Sequence, residues 1–521
     1  MTGTHFVTVG GTRLAYHVAG SGPVMIAHPG GPGVEYSYLR VPQLEKTFTM
    51  VYVEPAGTGA SDPLPEHATY AGTYADLLHG LVEHLGVPAV HLLGHSHGGV
   101  VAQRYALRHP DRVAGLVLYS STPVTDAAFW AEGARQGAAY PRRHPEIPEA
   151  AAAAAALEEP LAEQTEAAKS AWMSAVLPVY FADFWGRRAE FEPLRDGIRS
   201  WPVNFDSTAV DFRPGLPEIT APTLVVTGRH DFICGPGWAA MLHDGIARSR
   251  LVILPESGHF GHLEEPEAFA AAVRELRDES FRAGVRGAFR RGDTAEVRRL
   301  AEEELRRDGE PAGRVEATYA LARLALRDGD LSAAEQLASA ALDIAVEAGD
   351  RGLEERPGHV LAAVARLSGD LELARERYLA GIELNNELNR PEVVNAEFYN
   401  LAFVELRRGD VDLARKLFAE VGQRVFANGW RSFVPYLGIA AAALAAADGD
   451  HTRAARMIGF TDSAYATIGQ VPDPDDAVEL GRARDAAVAA LGEDRFAFAY
   501  ADGAVLEPGA AFGLDWSDAR T

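Results

Sequence analysis

The dipeptide Gly-Asp recurs at 329, 369, 409 and 449, at equal intervals of 40 residues, and each copy opens a similar stretch: "GDLSAAEQL", "GDLELARER", "GDVDLARKL", "GDHTRAARM". A weaker copy, "GDTAEVRRL", begins at 292. No other feature constrains the fold as much, because a unit repeated at this period buries its apolar face only against the next copy. Glycine ends one helix in a left-handed cap, and aspartate caps the start of the next. Asp330, Asp370, Asp410 and Asp450 are each followed four residues later by alanine (334, 374, 414, 454), small enough to let two helices approach closely. The stretches before each Gly-Asp, such as "VEATYALARLALRD", also have helical patterning. The period therefore predicts a helix hairpin repeated four or five times, an all-α solenoid over 279–521.

The first ~275 residues have another texture. Near-continuous apolar runs at 24–28, 48–54, 90–94, 113–120, 222–228 and 250–256 alternate with helical patterns. This is the signature of a largely parallel sheet covered by helices on both faces. The N-terminus reads as a β-hairpin turning at Gly10-Gly11. Between 123 and 213 the strand runs stop, and alanine- and aromatic-rich helices take over. The expected organisation is an α/β core of 1–122 and 214–278, with 123–213 as a helical cap over the carboxyl edge of the sheet.

Charge narrows the function classes. With 49 Lys and Arg against 73 Asp and Glu, the formal charge is −24, which excludes a surface built to neutralise nucleic-acid phosphates. The three lysines, Lys46, Lys169 and Lys416, receive no functional weight at this level. One cysteine, Cys234, excludes an intramolecular disulfide and suits a reducing compartment. No basic-then-apolar leader and no 18-residue apolar window occur, so a cytoplasmic protein that does not meet the membrane is expected.

The chemistry is concentrated in "HLLGHSHGGVVAQRYA" (91–106). Gly94-His95-Ser96-His97-Gly98 fits G-x-S-x-G, preceded by an apolar strand and followed by a helix with close-packing glycines. That setting lifts a serine hydroxyl clear of the backbone at a helix N-terminus. A serine attacks only when a histidine takes its proton and a carboxylate orients that histidine. His95 and His97 leave the tight turn away from the Ser96 hydroxyl and read as packing or pocket-lining residues. The acid and base are expected after later strands, and both are there: Asp231 ends "TLVVTGRHD", and His259 follows the strand in "LVILPESGHFGHLEEP". His262 is the rival base, Asp126 the rival acid, and His230 reads as structural. The oxyanion hole is expected from the amide of His97 and from Gly30 or Gly31 in "HPGGPG" (28–33). No histidine cluster has metal-ligand spacing, so neither a metal nor another cofactor is expected.

With these residues in hand, positions 1 to about 275 resemble the α/β-hydrolases, most closely the proline iminopeptidase group. The resemblance rests on "PGGPG" (29–33), "EPAGTGASD" (54–62), "GHSHGG" (94–99), "TGRHDFICGP" (227–236) and "SGHF" (257–260). It implies an α/β-hydrolase with a helical cap, an acyl-enzyme on Ser96, and a small amide substrate such as a peptide with N-terminal proline. It also implies that acidic residues in or near the cap hold the substrate's amino group; Glu190, Glu192, Asp206 and Asp211 are the candidates, and no motif singles one out. The chain departs from the group at Pro29, at Glu54-Pro55-Ala56, and at His97, where tryptophan is usual.

The repeat half resembles tetratricopeptide-like arrays, and its end resembles the helical-repeat tail of large bacterial transcriptional regulators, without a basic recognition helix. Its concave face is expected to bind a peptide, a protein partner or a second copy of the chain, or else to pack on the hydrolase. Two further functions stay open beside the aminopeptidase: an esterase, lactonase or thioesterase using the same machinery, and a hydrolase-fold ligand sensor read out by the repeat.

Overall fold

The computed structural model describes residues 3–159, 161, 163–204, 206, 208–307 and 310–512, and the chain divides into two units, Met1–Ser280 and Phe281–Thr521. In the first unit Gly10 and Gly11, both with positive φ, turn β1 (Gly3–Val9) into β2 (Thr12–Gly20), with Val9 opposite Thr12. Six strands follow: β3 (Val24–His28), β4 (Thr49–Glu54), β5 (Val90–His95), β6 (Val113–Tyr119), β7 (Thr223–Gly228) and β8 (Ser249–Leu254). Their spatial order is β1-β2-β4-β3-β5-β6-β7-β8. The sheet is antiparallel through β1, β2 and β4, and parallel from β4 to β8.

The continuous apolar runs resolve into two alternating faces, as the period of two demands. Leu92, Leu116, Leu118 and Val225 enter one core layer, under helices Gly72–Leu85, His97–Arg108 and Pro236–Gly245. Leu93, Val117, Tyr119 and Val226 enter the other, with Phe269, Val273 and Leu276 of the helix Pro266–Arg290. Between β6 and β7 the cap contributes helices Ala127–Ala139, Pro148–Ala156, Glu166–Val176 and Arg188–Gly197. Cap residues Met173, Val176, Leu177 and Phe181 are buried in the same cluster as the second sheet face, which fixes the cap against the core.

The second unit is all helical in its described residues. Gly329, Gly369, Gly409 and Gly449 adopt φ of +78°, +93°, +88° and +77°. The side chains of Asp330, Asp370, Asp410 and Asp450 accept hydrogen bonds from the N–H of Ala333, Leu373, Leu413 and Arg453, three residues on. Ala334, Ala374, Ala414 and Ala454 have no exposed surface, as close helix approach requires. A second turn shares the 40-residue spacing, at Gly349, Asn389, Gly429 and Gly469, all with positive φ.

The segment after the last Gly-Asp does not trail away from these repeats. Around the start of helix Pro474–Leu491, Asp473 pairs with Arg323 and accepts from Tyr436, Asp475 pairs with Arg366, Asp476 accepts from Tyr399, and Glu479 pairs with Arg407. Those partners sit on Pro311–Arg327, Arg351–Ser368, Pro391–Arg408 and Val434–Ala447, the first helix of each of four units. One acidic helix thus ties four repeats together. Among the described residues no helix is long and apolar enough to cross a membrane.

Candidate active site

Ser96 directly follows β5 and stands at the N-cap of helix His97–Arg108, with φ +53° and ψ −117°. A non-glycine residue held there stores strain of ~1–3 kcal/mol, so the surroundings must enforce it. They do so through the backbone. The Ser96 N–H donates to the Tyr119 carbonyl at 2.9 Å, and its own carbonyl accepts from the Gly99 N–H and the Ser121 hydroxyl, each at 2.9 Å. Gly98 is required because any side chain there would strike the His28 carbonyl on the neighbouring loop.

Asp231 and His259 come together from the loops after β7 and β8. His259 Nδ1 donates to Asp231 Oδ2 at 2.8 Å, while Asp231 Oδ1 accepts from the N–H groups of Ile233 (3.0 Å) and Cys234 (2.9 Å). Burial by itself would raise the Asp231 pKa, but the facing His259 and these two N–H bonds outweigh it and hold the carboxyl below its ordinary value. The His259 loop is clamped from two sides. Its N–H donates to the Tyr180 carbonyl of the cap at 2.6 Å. Glu264 accepts from the Gly258 N–H at 2.7 Å and from the Ala182 N–H of the cap at 2.8 Å. Ser96, His259 and the buried Cys234 line one cavity.

Every other histidine near Ser96 has a committed ring. His95 Nε2 faces the His259 carbonyl at 3.0 Å, and its Nδ1 faces the Tyr38 hydroxyl at 2.7 Å. His97 Nε2 donates to the Tyr70 carbonyl at 2.6 Å; burial, together with nearby His28, pushes its pKa down to about 3. His262, the rival base, donates from Nε2 to the Tyr38 carbonyl at 2.7 Å and meets the Tyr119 hydroxyl through Nδ1 at 2.8 Å. Burial lowers its pKa to about 4. Asp126, the rival acid, caps the first cap helix by accepting from the Phe129 N–H, and His230 is exposed.

The glycine loop lies against the serine: a side chain on Gly30 would come 2.9 Å from the Ser96 Cβ. Of its two candidate donors, Gly30 is already engaged, since its N–H donates to Tyr38 Oη at 2.7 Å. Gly31 is left as this loop's candidate, beside the amide of His97, which has no acceptor within its own helix because it stands at the first position.

The cavity has a volume of about 190 Å³, with walls that include Phe129, Trp130, Trp172, Met173 and Ile233. The four acids expected to hold an amino group do not line this cavity. Glu190 pairs with Arg187 at 2.7 Å and Glu192 with Arg188 at 2.8 Å. Asp206 accepts from Thr208 and Asp211 pairs with Arg213, each closing its own turn. Neighbouring arginines and turn N–H groups satisfy these carboxylates at the surface. Among the described residues no carboxylate lines the cavity, and its one charged side chain is Lys169. No three His, Cys, Asp or Glu side chains among the described residues are grouped to hold a metal ion.

Sequence reasoning missed Tyr38, Glu264 and Lys169. None belongs to a motif, and each reaches the site only through the fold.

Comparison with known proteins agrees with this architecture. Residues 23–266 match the profile of a family described as alpha/beta hydrolase fold. A 2-hydroxy-6-oxononadienedioate/2-hydroxy-6-oxononatrienedioate hydrolase of Klebsiella pneumoniae is 30% identical over 279 residues, covering 51% of this chain and 92% of the relative. A 2-hydroxymuconate semialdehyde hydrolase of Pseudomonas sp. is 29% identical over 288 residues, covering 54% of this chain and 95% of the relative. The crystal structure of a proline iminopeptidase from Mycobacterium smegmatis aligns over 54% of this chain and 100% of its own, at 24% identity and a TM-score of 0.40.

Proposed function

The chain belongs to the α/β-hydrolase family, and from that premise we propose that it is a serine hydrolase cleaving a small ester or lactone through an acyl-enzyme on Ser96. The observation that carries the reading is the 2.8 Å bond from His259 Nδ1 to Asp231 beside a serine held at φ +53° on the same cavity. Ser96 Oγ attacks the carbonyl carbon as His259 Nε2 takes its proton, and Asp231 keeps Nδ1 protonated and the ring aligned. The N–H groups of His97 and Gly31 receive the oxyanion. Collapse expels the alcohol, which takes the proton back from His259, and water then releases the acid by the same route.

The choice of acyl substrate over an N-terminal peptide rests on charge. A free α-ammonium group requires a carboxylate to receive it, and the cavity offers a lysine instead. The two relatives named above are hydrolases of small non-peptide compounds, in keeping with this reading.

The test is hydrolysis of a short-chain aryl ester and a prolyl arylamide by the wild type and by Ser96→Ala. Ester cleavage that disappears in Ser96→Ala is expected. Cleavage of the arylamide alone would return the aminopeptidase to first place. A folded protein inert on both would favour the ligand-sensor reading.

A further inference from the structure

Lys169 sits on the cap helix Glu166–Val176, on the wall of the cavity that holds Ser96 and His259. Its ammonium lies 3.9 Å from the centroid of the Trp172 ring, another wall residue. Among the described residues it has no salt bridge. The nearest acid on its own helix, Glu166, is taken by Arg199, whose Nε donates to it at 2.9 Å. Four other cations around the cap, Arg187, Arg188, Arg199 and Arg213, have carboxylate partners, while Arg143 stacks on the Tyr140 ring outside this cavity.

An ammonium partly withdrawn from water and left without a counter-ion is unfavourable, and stacking on an indole offsets only part of that. Burial accordingly holds the Lys169 pKa below the ordinary lysine value. A ligand that brings its own negative charge restores the balance and gains a charge-assisted hydrogen bond in an apolar enclosure.

We propose that Lys169 is the receptor for a carboxylate on the substrate, so that the enzyme acts on small acyl compounds bearing an acid group beside the scissile carbonyl. The inference rests on the reading of Ser96 as nucleophile. The carboxylate docks on Lys169 against Trp172, and this fixes which end of the substrate faces Ser96. Lys169 is a specificity residue in this scheme and moves no proton.

The experiment compares two nitrophenyl esters of similar acyl length, the neutral butyrate and the anionic glutarate monoester. The wild type is expected to prefer the glutarate at least tenfold in kcat/KM, mainly through KM. Lys169→Met is expected to lower that preference at least tenfold, Lys169→Arg to keep most of it, and Lys169→Glu to reverse it. Equal rates on both esters in the wild type, or an unchanged preference in Lys169→Met, overturns the proposal. If the wild type cleaves neither ester, the hydrolase reading fails, and calorimetric binding of glutarate decides the anion site on its own. Binding weakened at least tenfold in Lys169→Met sustains the site; equal binding, or none in either protein, overturns it.

Discussion

His95 Nε2 lies 3.0 Å from the carbonyl oxygen of His259, so the histidine beside the serine anchors the loop that carries the candidate base. A carbonyl only accepts, so Nε2 carries the proton and Nδ1 accepts from the Tyr38 hydroxyl. That hydroxyl in turn accepts the Gly30 N–H. The glycine loop, the serine turn and the base loop are therefore joined by one chain of buried hydrogen bonds.

Tyr38→Phe removes the centre of this chain and leaves the Gly30 N–H and His95 Nδ1 unpaired. His95 then holds the His259 loop less firmly, and a small misplacement of a catalytic group costs catalysis more than binding. The expected result is a kcat about 10–100-fold lower with KM changed little, read by steady-state kinetics on the ester that the wild type cleaves.

Ser96→Ala is expected to lower kcat by at least ~10³-fold while the protein stays folded. Ser96→Gly loses the same activity but also relieves the positive φ. Its melting temperature is expected to exceed that of Ser96→Ala, by an amount equivalent to ~1 kcal/mol or more. Equal stability of the two variants would show that the turn is not strained.

The two histidines after β8 separate by readout. His259→Gln is expected to abolish turnover at near-native stability. His262→Phe loses the buried bonds to the Tyr38 carbonyl and the Tyr119 hydroxyl, and is expected to destabilise the fold by ~1–3 kcal/mol in urea unfolding.

In the repeat unit, His359 supplies a pH dependence. Burial alone would lower its pKa, but Glu397 at 2.9 Å, with Asp475 and Glu355 nearby, raises it to about 9. A folded-state pKa above the unfolded value of ~6.5 gives stability that is full below pH ~6.5 and lost as pH rises through about 9. With 26% of the side chain exposed, the loss is of order 2 kcal/mol, short of the unscreened value. Thermal melts of the wild type should show that decline between pH 6.5 and 9, and His359→Gln should flatten it.

Arg366 has no exposed surface and pairs with Asp475 and Glu479 of the bridging helix. Arg366→Met leaves a buried carboxylate without its cation, which costs ~3–5 kcal/mol. Chemical unfolding should register that loss, and Arg366→Met with Asp475→Leu should recover much of it.

What the sequence made legible was whatever a short stretch must satisfy locally. Gly-Asp at 40-residue spacing marks helix ends because only a few residue types cap a helix, and the observed φ angles and Asp caps follow that reading. The second turn of the same period was hidden because Asn389 stands where its counterparts have glycine. The serine turn, Asp231 and His259 were legible because chemistry places them directly after strands. The cap acids lie off the Ser96 cavity, and an acidic residue in a helical pattern says nothing of which neighbour satisfies it. Glu190 and Glu192 pair with Arg187 and Arg188 at the start of their helix.

The sequence by itself determined the order of strands and helices, the repeat and the candidate nucleophile, because backbone hydrogen bonding and side-chain period act over a few residues. Tertiary structure alone decided which histidine meets Asp231, which glycine amide is already engaged, and which charged side chain lines the cavity. Those outcomes depend on partners far apart in the chain, as with His262 and Tyr38, separated by 224 residues. A buried polar group is defined by whatever the fold brings within hydrogen-bond reach.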